Sequence, residues 1–547
     1  MKFSNSLSLC AIAMCLVTNT VHAQIADYSW ENLPKISQPV FKADTFNIVD
    51  FGAKSDGTTL NTHSINKAIT VCSQKGGGVV LIPSGYWLTG PVKLKSNVNL
   101  HLANNAFLQF SSDFNQYKII EGSYEGKPSA RNESPIMATD VKNVAITGNG
   151  IIDGNGDAWR MVGKNKLTEN EWKTKVASGG LVSDDGKLWF PSEKTKKAFI
   201  EKSSVLLSST KNLSDFEPIK DYLRPNLVVI TRCDNILLQD VTFQNSPAWN
   251  LHPLMSSNLT IRRIKVKNPD YAQNGDGLDI ESCKNVLVEA SVFDVGDDAI
   301  CIKSGKDEEG RKRNMPTENV IIRNNTVYAG HGGFVVGSEM SGGARNIFVS
   351  DCSFIGTDKG LRFKTTRGRG GVVEKIYIKN INMSNIVQEA IYFDMYYWTQ
   401  PPLPNQKVEV PKVSVETPQF KDIEISNIVC NGASKGVFIR GLPEMAVDNI
   451  QMDNLRLNVT KAIEITDAKN IAIKNSSILA EDKETSVYIE NGADIMLDGV
   501  KFEQANKISL NINGASSKDI EIQNFDRPKN EIQPVFNHGA TEKSVIF

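Results

Sequence analysis

Asn235-Ile236-Leu237-Leu238, Asn258-Leu259-Thr260-Ile261 and Asn285-Val286-Leu287-Val288 repeat one pattern, a polar residue followed by apolar, any and apolar. Asn319-Val320-Ile321-Ile322, Asn346-Ile347-Phe348-Val349 and Lys375-Ile376-Tyr377-Ile378 continue it. Later copies begin at Asp422, Asn449, Asn470, Asp494 and Asp519, and an earlier one at Asn143. Most copies lie 21 to 29 residues apart. A period of that length marks a solenoid, in which each unit buries its face only against its neighbours. The residues are rich in β-branched types and alternate with period two, so each unit supplies strands. The pattern predicts an all-β chain, a parallel β-helix whose coils stack at roughly the 4.8 Å spacing of paired strands.

A second strand in each coil supplies a register. Its inward apolar pairs are Leu278/Ile280, Ile300/Ile302, Phe334/Val336, Leu361/Phe363, Ile391/Phe393, Val437/Ile439, Ile463/Ile465 and Val487/Ile489, with Trp249/Leu251 expected one coil earlier. Against these pairs Asp276 and Asp298 share one position on consecutive coils, and Asp297 and His331 share another. Arg362 and Lys364 follow two coils beyond the acids. Lys303 and His252 are expected to occupy the same relative position as Lys364. Each residue alone is compatible with an ordinary turn or a solvated strand edge, but unrelated turns need not share one register. Gathered carboxylates repel and separate one another's pKa values, as acid/base hydrolysis requires.

The four stretches Asn274-Gly275-Asp276, Gly296-Asp297-Asp298, Gly330-His331-Gly332 and Arg362-Phe363-Lys364 resemble, in order and spacing, the motifs of family 28 glycoside hydrolases, the polygalacturonases and their relatives. The resemblance runs from about Phe46 to the end of the repeats. Gly275 stands where the family usually has Thr, and Phe363 where it usually has Ile. The resemblance implies a right-handed parallel β-helix and inverting hydrolysis of α-linked galacturonic acid in pectic chains or oligogalacturonides. It implies Asp297 as general acid, Asp276 and Asp298 on the attacking water, and His331 holding their hydrogen-bond network. Arg362 and Lys364 are implied to bind the substrate carboxylate, the Arg as a bidentate fork. Asn274, His252, Lys303, Arg367 and Trp249 are further expected substrate contacts, Lys303, Arg367 and Arg369 adding positive charge suited to a uronate. No metal or cofactor is implied. Gly337-Ser338-Glu339-Met340-Ser341-Gly342-Gly343 and Gly368-Arg369-Gly370-Gly371 resemble exo-acting bacterial members. Trp249, Trp398, Tyr396 and Tyr397 are candidates for sugar stacking.

The remaining sequence frames this site. Residues 1–23 have the form of a secretory signal, with Lys2, an apolar stretch from Leu7 to Val17 and a small-residue cleavage site at Val21-His22-Ala23. An exported monomer without a membrane span is expected, in the periplasm or outside the cell. Without Lys2 the chain carries 60 basic and 62 acidic residues, a balance that argues against general nucleic-acid binding. Six cysteines remain after Cys10 and Cys15 are removed, without tight pair spacing, and are expected as buried small hydrophobes. Residues 24–45 form a leader, and 46–547 a single domain. Asn61 to Gln74 is expected as an amphipathic capping helix, and about 160–223 as a Lys-rich loop insertion. Three readings compete with the hydrolase of galacturonan: a rhamnogalacturonan or branched-pectin hydrolase, a calcium-dependent pectin or pectate lyase, and a non-catalytic glycan-binding β-helix.

Overall fold

The computed structural model describes residues 28–402, 409–482, 487–503, 508–525 and 532–547; the expected signal lies outside them. The chain coils into a right-handed parallel β-helix. One sheet of fourteen parallel strands runs its length, and a second, larger sheet wraps the rest of each coil. Five successive strands of the fourteen-stranded sheet carry the site: β1 (Leu251–Leu254), β2 (Leu278–Glu281), β3 (Asp298–Lys303), β4 (Gly332–Gly337) and β5 (Leu361–Lys364). The next, β6, is Glu389–Asp394.

The asparagines that open the repeats explain why the copies stack. Asn235, Asn258, Asn285, Asn319 and Asn346 all hold left-handed backbone angles, with φ between 54° and 64°. Asparagine tolerates that region and can bond locally. Here its amide also bonds the next coil: Asn285 Nδ2 donates to Asn258 Oδ1 (3.2 Å), Asn319 to Asn285 (3.0 Å) and Asn346 to Asn319 (3.1 Å). Each unit therefore turns at the same point and is tied to its neighbour there.

Inside the coils the inward pairs stack as the pattern predicts. Leu278 pairs with Ile300, Ile300 with Phe334, Phe334 with Leu361 and Leu361 with Ile391. The first coil differs. Leu251, not Trp249, pairs with Leu278, so the inward residues there are Leu251 and Pro253. A proline in the inward position hides the apolar pair and shifts the register by two. Trp249 consequently takes the register of Asp276, and Leu254 rather than His252 takes that of Lys303.

Helix α1 (Thr62–Gln74) buries Ile65, Ala68, Ile69 and Cys72 and packs over the first strands, covering the open end of the solenoid. Residues 160–223 are more ordered than a loop. Helices α2 (Glu169–Ala177) and α3 (Glu193–Ile200) accompany a small antiparallel sheet, and Val162, Trp172 and Trp189 form a separate core. An antiparallel hairpin, Ile119–Tyr124 with Lys127–Asn132, stands beside this insertion and shares a second small core, Ala130, Phe216 and Leu223, with it. Cys72, Cys233, Cys283, Cys301, Cys352 and Cys430 are free and buried. Among the described residues no helix is long and apolar enough to cross a membrane.

Candidate active site

Asp276 precedes β2, Asp297 precedes β3, Asp298 opens β3, and His331 precedes β4. Coil stacking brings one carboxylate oxygen of each of the three acids within 4.8 Å of the others. Backbone geometry holds them there. Gly330 has φ +147°, and a Cβ on it would lie 2.7 Å from the Asp297 carbonyl oxygen. That close approach lets the His331 N–H donate to the same carbonyl at 2.9 Å. Gly275 is equally constrained, because a Cβ there would lie 2.6 Å from that of Ala272. The departure from threonine thus follows from the turn Ala272 makes here.

The acids differ in surroundings and in state. Asp298 is 1% exposed, yet both oxygens are paired, Oδ1 with Arg362 Nη1 at 2.9 Å and Oδ2 with Lys364 Nζ at 2.7 Å. Burial pushes its pKa up, but Lys364, Arg362 and Lys303 outweigh that and hold it well below the usual carboxylate range. Asp276, 3% exposed, has a buried Oδ1 without a hydrogen-bond partner. Burial first, then the neighbouring Asp279 and Asp297, push its pKa well above the ordinary value of 3.8, against the pull of Lys303. Asp297 is the most accessible of the three, its side chain 22% exposed, and its Oδ1 accepts from His331 Nδ1 at 2.9 Å. That hydrogen bond, opposed by burial and reinforced by the charges of Asp297, Asp298 and Asp358, raises the His331 pKa. Asp298 is thus shifted down and Asp276 up, and the acids titrate as a coupled cluster. The resemblance gives the proton to Asp297; burial and the neighbouring acids favour the protonated form of Asp276.

The acids open into a cavity of about 430 Å³ that also contains Asn274, Trp249, Lys303, Arg362, Lys364 and Tyr397. Lys303 bonds Glu339 at 3.0 Å, approaches Asp279 at 3.5 Å and lies 4.7 Å from the centre of the Trp249 ring. The motifs do not single out Glu339 or Asp279. Burial raises the Glu339 pKa, but Lys303, Lys364, Lys306 and Arg369 bring it down to about 2. Asp279, fully buried, lies three residues after Asp276 on the outward face of β2, and the alternation of β2 marks that face in the sequence. Tyr397 lies under Arg362 and Lys364, and Trp398 stands 85% exposed at the rim.

Three expected contacts lie elsewhere. His252 is 2% exposed, bonded to Glu281 at 2.8 Å and Asn226 at 3.1 Å, and faces a neighbouring cavity. Arg367 forks onto Glu444, at 2.5 and 2.8 Å, in a separate groove that also takes Tyr396. Three carboxylates within 4.8 Å resemble a cation site, but Asp298 already spends both oxygens on Arg362 and Lys364.

Asp276→Asn is expected to remove activity and raise stability. Whatever stability the Asp276 side chain confers is fully present below about pH 3.8 and is lost as pH rises through its elevated folded value. The variant should be more stable than the parent at pH 8 and about equal to it near pH 4, measured by denaturant unfolding at both pH values. Lower stability at both would contradict the assigned protonation.

Comparison with known proteins agrees with the geometry. The glycosyl hydrolases family 28 profile matches residues 220–477, and that of rhamnogalacturonase A/epimerase, pectate lyase-like, matches 45–202. A hyperthermoactive exopolygalacturonase from Thermotoga maritima is 30% identical, with a TM-score of 0.63 covering 85% of this chain and 94% of that one. An exo-poly-alpha-D-galacturonosidase of Dickeya chrysanthemi is 28% identical over 442 residues, 78% of this chain and 70% of the relative. A probable polygalacturonase of Vitis vinifera is 32% identical over 355 residues, 63% of this chain and 62% of the relative, so the chain spans somewhat under two thirds of that protein's length. The acids, the histidine and the paired cations on consecutive coils, together with these matches, show that the chain belongs to glycosyl hydrolases family 28.

Proposed function

We propose that this protein is a glycosidase that hydrolyses α-linked galacturonic acid in pectic chains, working from a chain end with inversion. The carrying observation is the geometry of one cluster: Asp276, Asp297 and Asp298 bring carboxylate oxygens within 4.8 Å of one another, Asp298 is paired with Arg362 and Lys364, and the accessible Asp297 is bonded to His331. In this reading Asp297, the accessible acid, delivers the proton to the leaving oxygen, drawing on the proton the cluster holds at rest. Asp298 accepts a proton from the attacking water, and Asp276 orients that water. His331 fixes Asp297 through its Nδ1. Arg362, Lys364 and Lys303 supply the positive field for a uronate carboxylate, and Trp249, Tyr397 and Trp398 offer faces for sugar rings.

Action at a chain end is supported by the hairpin. Glu125 at its tip pairs with Lys306 at 2.9 Å, and both residues line the acid cavity, so this side of the cavity carries a wall. The names of the Dickeya and Thermotoga relatives point the same way. Inversion is the outcome that the family 28 motifs imply. The 4.8 Å spacing is tighter than the roughly 6.5–9.5 Å usual for inverting pairs, so the stereochemical outcome is measured directly.

Chromatography and proton NMR of products from galacturonan oligomers of known length test the reading. One short product from the first minutes, released as the β-anomer, is expected. A ladder of lengths would overturn end action, the α-anomer would overturn inversion, and hydrolysis of rhamnogalacturonan oligomers alone would reassign the substrate. A calcium-dependent rise in ultraviolet absorbance would replace hydrolysis with elimination. The N-terminal pattern supports export.

A further inference from the structure

Arg224, the first residue after the 160–223 insertion, reaches the turn that carries Asn274-Gly275-Asp276. It is 9% exposed, and its guanidinium donates only to neutral oxygens. Nη1 bonds the carbonyls of Pro247 at 3.0 Å and Gln273 at 2.7 Å, and Nη2 bonds Asn274 Oδ1 at 2.9 Å. A buried guanidinium normally meets a carboxylate. This one is spent instead on the backbone before β1 and β2 and on one side chain of the first motif.

The backbone of the turn has supports of its own. The Ala272 N–H donates to the Pro269 carbonyl at 2.8 Å, the Gly275 N–H to the Ala272 carbonyl at 2.9 Å, and Asn268 Nδ2 to the Gly275 carbonyl at 3.0 Å. Asn274 holds a left-handed φ of 53°, which asparagine tolerates. The turn that delivers Asp276 is thus closed by bonds that do not involve the arginine. What Arg224 alone decides is the side chain of Asn274.

The two ends of an amide are alike in shape and are told apart by their partners. A guanidinium carries only donors, so the atom of Asn274 facing Arg224 is its carbonyl oxygen, and the NH2 group is turned away from it. Among the described residues that Nδ2 makes no hydrogen bond, and Asn274 forms part of the wall of the acid cavity.

We propose that Arg224 is a positioning residue for this site, locking the Asn274 amide so that its NH2 group donates to an oxygen of the bound sugar acid. The identity of that ligand rests on the galacturonan reading above; the lock does not. Without the arginine the amide is free to turn over about χ2. Its oxygen would then face the ligand oxygens that the NH2 group is there to hold.

A double-mutant cycle tests the lock. Values of kcat and KM on trigalacturonate are measured for the parent, Arg224→Met, Asn274→Gly and the double variant, glycine keeping the left-handed backbone open. Each single substitution is expected to lower kcat/KM by about 10–100-fold, chiefly through KM, the worth of one hydrogen bond to a charged group. The double variant should lie within about threefold of Asn274→Gly alone, since the arginine then has nothing left to orient. Arg224→Lys, which keeps a donor for Oδ1, should recover part of the loss, and it carries the same cycle if the methionine variant does not fold. Losses that multiply would overturn the proposal, and so would a loss in Arg224→Met that falls on kcat alone. If the parent does not hydrolyse galacturonan, the substrate reading fails and the cycle is read on unfolding midpoints. Drops in midpoint that do not add keep the lock, and drops that add remove it.

Discussion

Asp297→Asn is expected to lower kcat by about 10²–10⁴-fold, with KM for oligogalacturonides within a few-fold of the parent. The amide keeps the shape of the carboxylate. Its oxygen still accepts the Asp298 N–H, found at 3.0 Å, and the His331 Nδ1 bond, found at 2.9 Å, provided the histidine donates. What it lacks is a proton to give the leaving oxygen. The comparison variant is Asp298→Asn, which should fail for a different reason. Asp298 is 1% exposed and balances both Arg362 and Lys364, so its neutralisation takes the ion-pair partner from the buried Lys364 and the part-buried Arg362. Breaking such a pair costs about 3–5 kcal/mol. Stability measured beside kcat separates the two: unchanged for Asp297→Asn, sharply reduced for Asp298→Asn. Normal turnover by the first variant would remove Asp297 from the mechanism.

The second large effect is on packing. Phe363 is fully buried, lies face to face with Phe393 at a centroid distance of 4.3 Å and an angle of 3°, and meets Phe334 at 6.1 Å and Phe420 at 6.0 Å. It is the inward residue between Arg362 and Lys364. Phe363→Ala is expected to cost about 3–5 kcal/mol, from lost transfer energy and an uncollapsed cavity. In a solenoid each coil is supported only by its neighbours, so the loss spreads first to β4 and β6. Activity should fall along with stability, because both cations on β5 lose their footing. Phe363→Ile, the residue usual in the family, should cost less than about 2 kcal/mol and retain most activity, since it restores much of the volume. Guanidinium unfolding midpoints of the two variants decide this. Equal midpoints would mean that the aromatic stack is incidental.

A feature of this fold is legible in the sequence to the degree that it is local. The coil register is set by period-two alternation and by asparagine turns, both written within a few residues, so the sequence alone aligns Asp276, Asp297, Asp298, His331, Arg362 and Lys364. The alignment slips at Trp249, where Pro253 occupies an inward place that an apolar pattern does not reveal. Register and charge assign His252 and Arg367 to the site, but both face other partners, Glu281 and Glu444. Charge alone does not say which carboxylate a basic residue will meet. The hairpin at 119–132 is invisible in the sequence for a related reason. Its residues neither repeat nor alternate, and its position is fixed by contacts with the insertion some 80 residues later, such as Asn132 Nδ2 donating to the Lys220 carbonyl at 2.8 Å.

The asparagine ladder separates loop length from strand order. Asn143 and Asn235 are 92 residues apart in sequence and still adjoin, Nδ2 to Oδ1, at 2.8 Å, while Asn319 and Asn346 adjoin across 27 residues at 3.1 Å. By loop-closure entropy the longer connection costs only about 1 kcal/mol more. The scaffold can therefore be refitted at one rung without disturbing the next, and substrate range becomes a property of interchangeable attachments rather than of the frame that bears the acids. Exchanging the 160–223 segment together with the hairpin is, on this view, the shortest route from one pectic substrate to another.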